Sequence, residues 1–199
     1  MKCENNCAKS RKVDLIDSIL MAKIFEDVPC TELLLQSVFC DKNIQVVRTV
    51  NRYESFGFQD LNIMLDVLAR DDKRILNIEI RTCEPNEGFF DMKHNQDLFE
   101  ETVEELKYSD GLINEFYSIS LLRGDALGMG LPIYHTKRRI KDLGEDLSNT
   151  FRFVYVNMNL EDDSPIGRLM HDLNCGDVNK MYNSVLKRRV RSLQKRYGI

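Results

Sequence analysis

The chain reads as an α/β protein, with a mixed central sheet flanked by helices. Three observations predict this. Apolar residues recur at helical spacing near both ends of the chain. Between residues 44 and 82, three period-two, β-branched runs follow one another, two of them across a charged turn. Two more strand-like runs, at 116–122 and 151–157, come after helix-prone or loop-rich sequence. Helices and strands interleaved in this order bury a sheet between helical layers.

The elements follow in order. Leu15, Ile16, Ile19, Leu20 and Ile24 mark a first helix, interrupted by Pro29. Thr31 is then a candidate N-cap for a second helix, TELLLQSVF. Residues 44–50, 61–69 and 75–82 read as strands. Asp71 and Asp72, between the second and third, suit a hairpin. Residues 90–108 are polar and helix-prone. The insert GDALGMGLPIYH contains Gly128-x-Gly130, but Pro132 follows and no helix opens there, so the dinucleotide-binding fingerprint fails on context. Ser164 before Pro165 is a helix start with proline at the first helical position. A last helix is expected over about 179–196. No repeat or linker divides the chain, and 199 residues, 43% of them apolar, fit one domain over 1–199 with a core of its own.

Charge and cysteine use narrow the function classes. The net charge of −4 carries no global nucleic-acid signature, but charge is unevenly placed. From Val178 onward there is only basic charge, including Lys187, Arg188, Arg189, Arg191, Lys195 and Arg196. This is either a solvated helix end opposing the helix dipole or a phosphate-binding face. Lys137, Arg138, Arg139 and Lys141 form a second basic cluster, and acids gather between Asp97 and Glu105. The six cysteines show neither C-x-x-C nor zinc spacing, and no apolar run can span a bilayer. The expectation is a cytoplasmic protein with free thiols and no membrane partner. Val185, Leu186, Val190 and Leu193 of the last helix can pack on the core or on a second copy, which leaves a homodimer open.

Two carboxylates stand where core residues belong. Asp66 lies in the second strand and Glu79 in the third, with Arg81 two residues further on the same face as Glu79. If these strands pair across the charged turn, the acids approach one another. Close carboxylates repel unless a cation shares them or one takes a proton. A hard divalent ion such as Mg2+ or Mn2+ is one resolution, and Arg81 as an ion-pair partner is the other. His94, His135 and His171 read as structural histidines, and Tyr134 and Tyr155 as core aromatics with a polar tip.

The stretch LDVLARDDKRILNIEIR resembles the core of the PD-(D/E)XK nucleases. KIFEDVPCTELLLQSVF, NIEI, GLPIYH, YVN and PIGRLMHDLNC follow in the order of the Rpn-type recombination-promoting nucleases, also described as PD-(D/E)XK nuclease family transposases of mobile elements. The resemblance covers most of the chain. It implies a restriction-endonuclease-like fold and metal-dependent DNA cleavage. Asp66 and Glu79 would then be the metal-binding acids, and Glu32 a helix-borne acid of the same site. Arg81 departs from the Lys or Gln of that pattern. Arginine stays charged and cannot serve as a base, but it can hold a phosphate or stabilise developing charge. The following EPNEGFFDMKHNQDLFEE is acidic where relatives are basic, which would repel DNA phosphates. Two main readings result, beside a blander one of a domesticated paralogue with only a structural role. One is an Mg2+-dependent DNA endonuclease with Asp66, Glu79 and Arg81 at its centre and the basic last helix along the DNA backbone. The other is an inactive nuclease-fold protein of a phage or mobile element that binds a protein partner and inhibits a host nucleic-acid machine such as a CRISPR effector.

Overall fold

The computed structural model of the protein describes residues 18–56, 60–84, 113–125, 127–136 and 151–198. In chain order these form α1 (Ser18–Phe25), α2 (Val28–Phe39), β1 (Gln45–Phe56), β2 (Asp60–Arg70), β3 (Arg74–Cys83), β4 (Ile113–Leu122), β5 (Ile133–Thr136), β6 (Phe151–Asn157), α3 (Pro165–Asn174), a 3-10 turn (Val178–Lys180) and α4 (Ser184–Tyr197). The helix expected over 90–108, the acidic segment 97–105, the cluster at 137–141 and His94 lie outside the described residues.

The six strands make one mixed sheet in the order β1-β2-β3-β4-β6-β5. β1, β2 and β3 form an antiparallel meander, β4 and β6 add in parallel, and β5 closes the far edge antiparallel to β6. The architecture is therefore α/β, with a mixed sheet flanked by helices.

Alternation along the strands gives the sheet two unlike faces. On one face, Leu65, Val67 and Ala69 of β2 align with Leu76, Ile78 and Ile80 of β3, Ile119 and Leu121 of β4, and Val154 and Val156 of β6. The apolar stripes of the helices cover this face: Leu34, Leu35 and Val38 of α2, Leu169 and Leu173 of α3, and Leu186, Val190 and Leu193 of α4. Of the last-helix residues that left packing on a second copy open, Leu186, Val190 and Leu193 are core residues, and Val185 packs against them partly buried. The opposite face is mixed. Leu122, Tyr134, Phe153 and Tyr155 form a small apolar cluster there, beside the buried hydroxyls of Ser118 and Ser120.

Several local expectations shift. α2 starts at Val28, before Pro29, which sits in its first turn, and Asp27 is the N-cap. Thr31 is no cap: its hydroxyl is buried and donates to the Phe25 carbonyl at 2.5 Å. β1 continues six residues past Val50, and Ile133–Thr136 adds a strand inside the glycine-rich insert. There the Asp125 carboxylate accepts N–H bonds from Leu127 (3.2 Å), Gly128 (3.0 Å) and Gly130 (2.6 Å) and a bond from the Tyr134 hydroxyl (2.6 Å). Gly128 and Gly130 adopt positive φ, 65° and 69°, to turn their N–H groups inward. The donors that a phosphate would need are held by the protein's own carboxylate. Ser164 caps α3 as expected, its Oγ accepting from the Gly167 N–H at 3.1 Å. Among the described residues, no helix is long and apolar enough to cross a membrane.

Candidate metal and phosphate site

The site begins with a turn. Asp71 Oδ1 accepts from the backbone N–H groups of Lys73 (2.8 Å) and Arg74 (2.7 Å), and its Oδ2 accepts from Arg74 Nε (2.7 Å). Partial burial opposes its charge, but the Arg74 guanidinium and the two N–H groups outweigh it and hold the carboxyl below the usual range. This aspartate-stapled turn sets the β2–β3 register, because a one-residue slip would exchange the two faces. In that register Asp66 stands directly opposite Glu79, and Met64 opposite Arg81. Both acids project from the face away from the helices, since Leu65, Val67, Ile78 and Ile80 take the other.

The structure brings a third strand to them. Arg52 of β1 lies opposite Met64 and shares its face. Its Nη2 is 2.8 Å from Glu79 Oε2 and 3.4 Å from Asp66 Oδ1, and 3.7 Å from Met64 Sδ. The guanidinium thus spans β2 to reach β3 and bridges both acids. Glu79 is the more enclosed, its side chain 15% exposed, against 44% for Asp66 and 30% for Arg52. Arg81, one of the candidate partners of the acids, donates from Nε to Ser120 Oγ of β4 at 3.2 Å.

Glu32 does a different job. Its Oε2 accepts from the Val46 N–H at 3.0 Å, beside an irregularity in the β1–β2 ladder between Val46 and Arg48. α2 packs on the helical face, and Val46 pairs with Ala69, three residues along β2 from Asp66. That separation is roughly 10 Å along the strand. The structure therefore does not bring Glu32 to the acid pair.

Nor does it bring the basic helix there. α4 lies against the helical face, with Arg188, Arg191, Lys195 and Arg196 exposed. Arg189 turns inward and donates from Nε (3.1 Å) and Nη2 (2.5 Å) to the Lys23 carbonyl of α1. Lys187 Nζ donates to Asn179 O at 3.2 Å, Arg191 to Asn179 Oδ1 at 2.8 Å, and Arg196 lies over the Tyr197 ring. Of the remaining candidates, His171 packs at 4.6 Å against Tyr182 with the rings tilted and touches buried Asp172, His135 is exposed on β5, and Tyr155 is a core aromatic.

A hard divalent ion fits the pair in kind: two carboxylates on one face, one of them open to water, with room for water ligands. Among the described residues, no cluster of three or more His, Cys, Asp or Glu adds to it. Sequence reasoning missed Arg52, Ser118 and Ser120. The signal for Arg52 was its period-two spacing from Val50 into the polar run NRYESF, which reads as loop only if the strand is stopped at Val50. Comparison of the chain with protein-family models, with curated proteins and with solved structures finds no match.

Proposed function

We propose that this protein is a nuclease-fold protein of a mobile element acting on DNA phosphodiesters, with Asp66 and Glu79 as its metal-binding acids. One observation carries the reading: the two carboxylates are direct cross-strand neighbours on the sheet face opposite the described helices. Asp66 and Glu79 would hold Mg2+ or Mn2+, and such an ion polarises a phosphoryl oxygen and lowers the pKa of a bound water. Arg81, oriented through Nε by Ser120, offers a planar fork suited to a phosphate. Arginine is no proton-transfer group, so its role would be charge stabilisation. The exposed cations of α4 lie on the other side of the sheet and act by long-range attraction of DNA.

A second reading is favoured by Arg52, whose guanidinium supplies the positive charge that the acid pair requires. On that reading the fold is retained, the chemistry is lost, and the protein binds a basic groove of a protein partner through its acidic segment 97–105. The test is a nicking assay on supercoiled and single-stranded DNA across Mg2+ and Mn2+. The nuclease reading expects metal-dependent cleavage, reduced at least roughly 100-fold in Asp66→Ala and Glu79→Ala, as for loss of a principal charge-stabilising group. Inertness of the wild type under every metal ends that reading and leaves the binding one.

A further inference from the structure

We infer that Arg52 is a built-in competitor for the divalent ion, so that metal affinity at Asp66 and Glu79 is set by a residue of a neighbouring strand. The inference rests on the metal-binding reading of the acid pair and deepens it. Arg52 Nη2 contacts one oxygen of each acid, at 2.8 and 3.4 Å, so a single nitrogen stands between the two groups that an ion would bridge. Arg52 places a positive charge between the two carboxylates, where the ion's own charge would sit. A divalent ion entering with Arg52 in place would meet an excess of like charge. Occupancy by the ion and by the guanidinium is therefore mutually opposed.

The surroundings allow the exchange. β1 is an edge strand whose described ladder runs to β2 alone, and the Arg52 side chain is already 30% exposed. Asp66, 44% exposed, is the side from which an ion approaches. Arg52 is the residue whose one nitrogen contacts both acids, so the competing role is assigned to it.

The test uses the full chain and Mn2+ alone, read by calorimetry and by electron paramagnetic resonance of the free ion, with no activity needed. Arg52→Gln is expected to bind Mn2+ roughly 30-fold tighter than the wild type, the effect on a divalent ion of one unit charge about 4 Å away acting through water. Its melting temperature should fall in EDTA and rise on Mn2+ addition by more than the wild type's. Arg52→Lys keeps the charge but not the fork, and serves if the glutamine variant fails to fold; its affinity should lie between the two. Equal Mn2+ affinity in wild type, Arg52→Gln and Arg52→Lys, abolished in each by Asp66→Asn, overturns the inference while the metal site stands. Absence of Mn2+ binding in all of them overturns the metal site itself, and the inference with it.

Discussion

Cys30 shows how burial overrides a local electrostatic preference. It sits in the first turn of α2, where the helix N-terminus would normally favour a thiolate. Complete burial, with the adjacent Asp27 charge and side chain adding to it, instead pushes the thiol up to about 12. Tyr117 behaves alike: burial first, then its 2.8 Å bond to Glu115, push the phenol up to about 12. Both groups are neutral when protonated, and the folded state holds their protons more tightly than the unfolded chain does. Their contribution is full below the unfolded values of 9.0 and 10.0 and is lost as pH climbs toward about 12. The urea midpoint should therefore fall progressively above pH 9, and Cys30→Ala should delay the onset by removing the earlier group. A midpoint level from pH 9 to 11 in the wild type contradicts this assignment. Such effects are hard to read from sequence, because a cysteine near a helix start carries no mark of whether it faces core or water. Asp66 and Glu79 were legible because acids interrupting apolar alternation stand out, and the aspartates between them pointed to the hairpin. Arg52 was not, since arginine in a polar edge strand looks like ordinary surface.

At the scale of elements, buried Asp172 joins two helices. Its carboxylate, in the last turns of α3, accepts from the backbone N–H of Tyr182 (2.6 Å) and of Asn183 (2.7 Å), and from Asn183 Nδ2 (2.8 Å). Asn183 is the N-cap of α4 but makes no side-chain cap bond of its own. The negative charge that suits a helix N-terminus is thus delivered from a different helix. Removing it leaves three part-buried donors unanswered, so Asp172→Ala should cost about 3 kcal/mol in urea unfolding. Asp172→Asn, which keeps an acceptor oxygen, should cost clearly less. Equal losses would show that only packing volume matters there. Ser164-Pro165 announced the start of α3 by its chemistry, but α4 begins at Ser184 and not near 179, because Asp177 first caps a separate 3-10 turn over Val178–Lys180. β5 escaped notice because four residues after a glycine- and proline-rich turn carry no periodicity; its pairing with β6 is a tertiary fact.

For the whole molecule, the two-sided sheet separates acids and cations that a linear reading assigns to one DNA-binding surface. The acid pair occupies one face, and α4 with its cations the other. Basic residues on α4 also divide by role. Arg189 donates twice to the Lys23 carbonyl and ties α4 to the end of α1, whereas Arg188 and Lys195 are exposed. If the helix attracts DNA, the exposed residues act through charge and the inward one through structure. Arg188→Glu with Lys195→Glu should leave unfolding free energy within about 0.5 kcal/mol of wild type. The same pair should lower the slope of log affinity against log salt by about 2 units for duplex DNA, one for each phosphate that is no longer neutralised. Arg189→Ala should do the reverse, costing about 2 kcal/mol of stability through its charged hydrogen bonds and changing the salt slope little. Fluorescence anisotropy at stepped sodium chloride, beside urea unfolding, separates the two effects. An unchanged salt slope in the double variant would mean that the basic face of α4 is solvated surface, with its charges serving only to oppose the helix dipole.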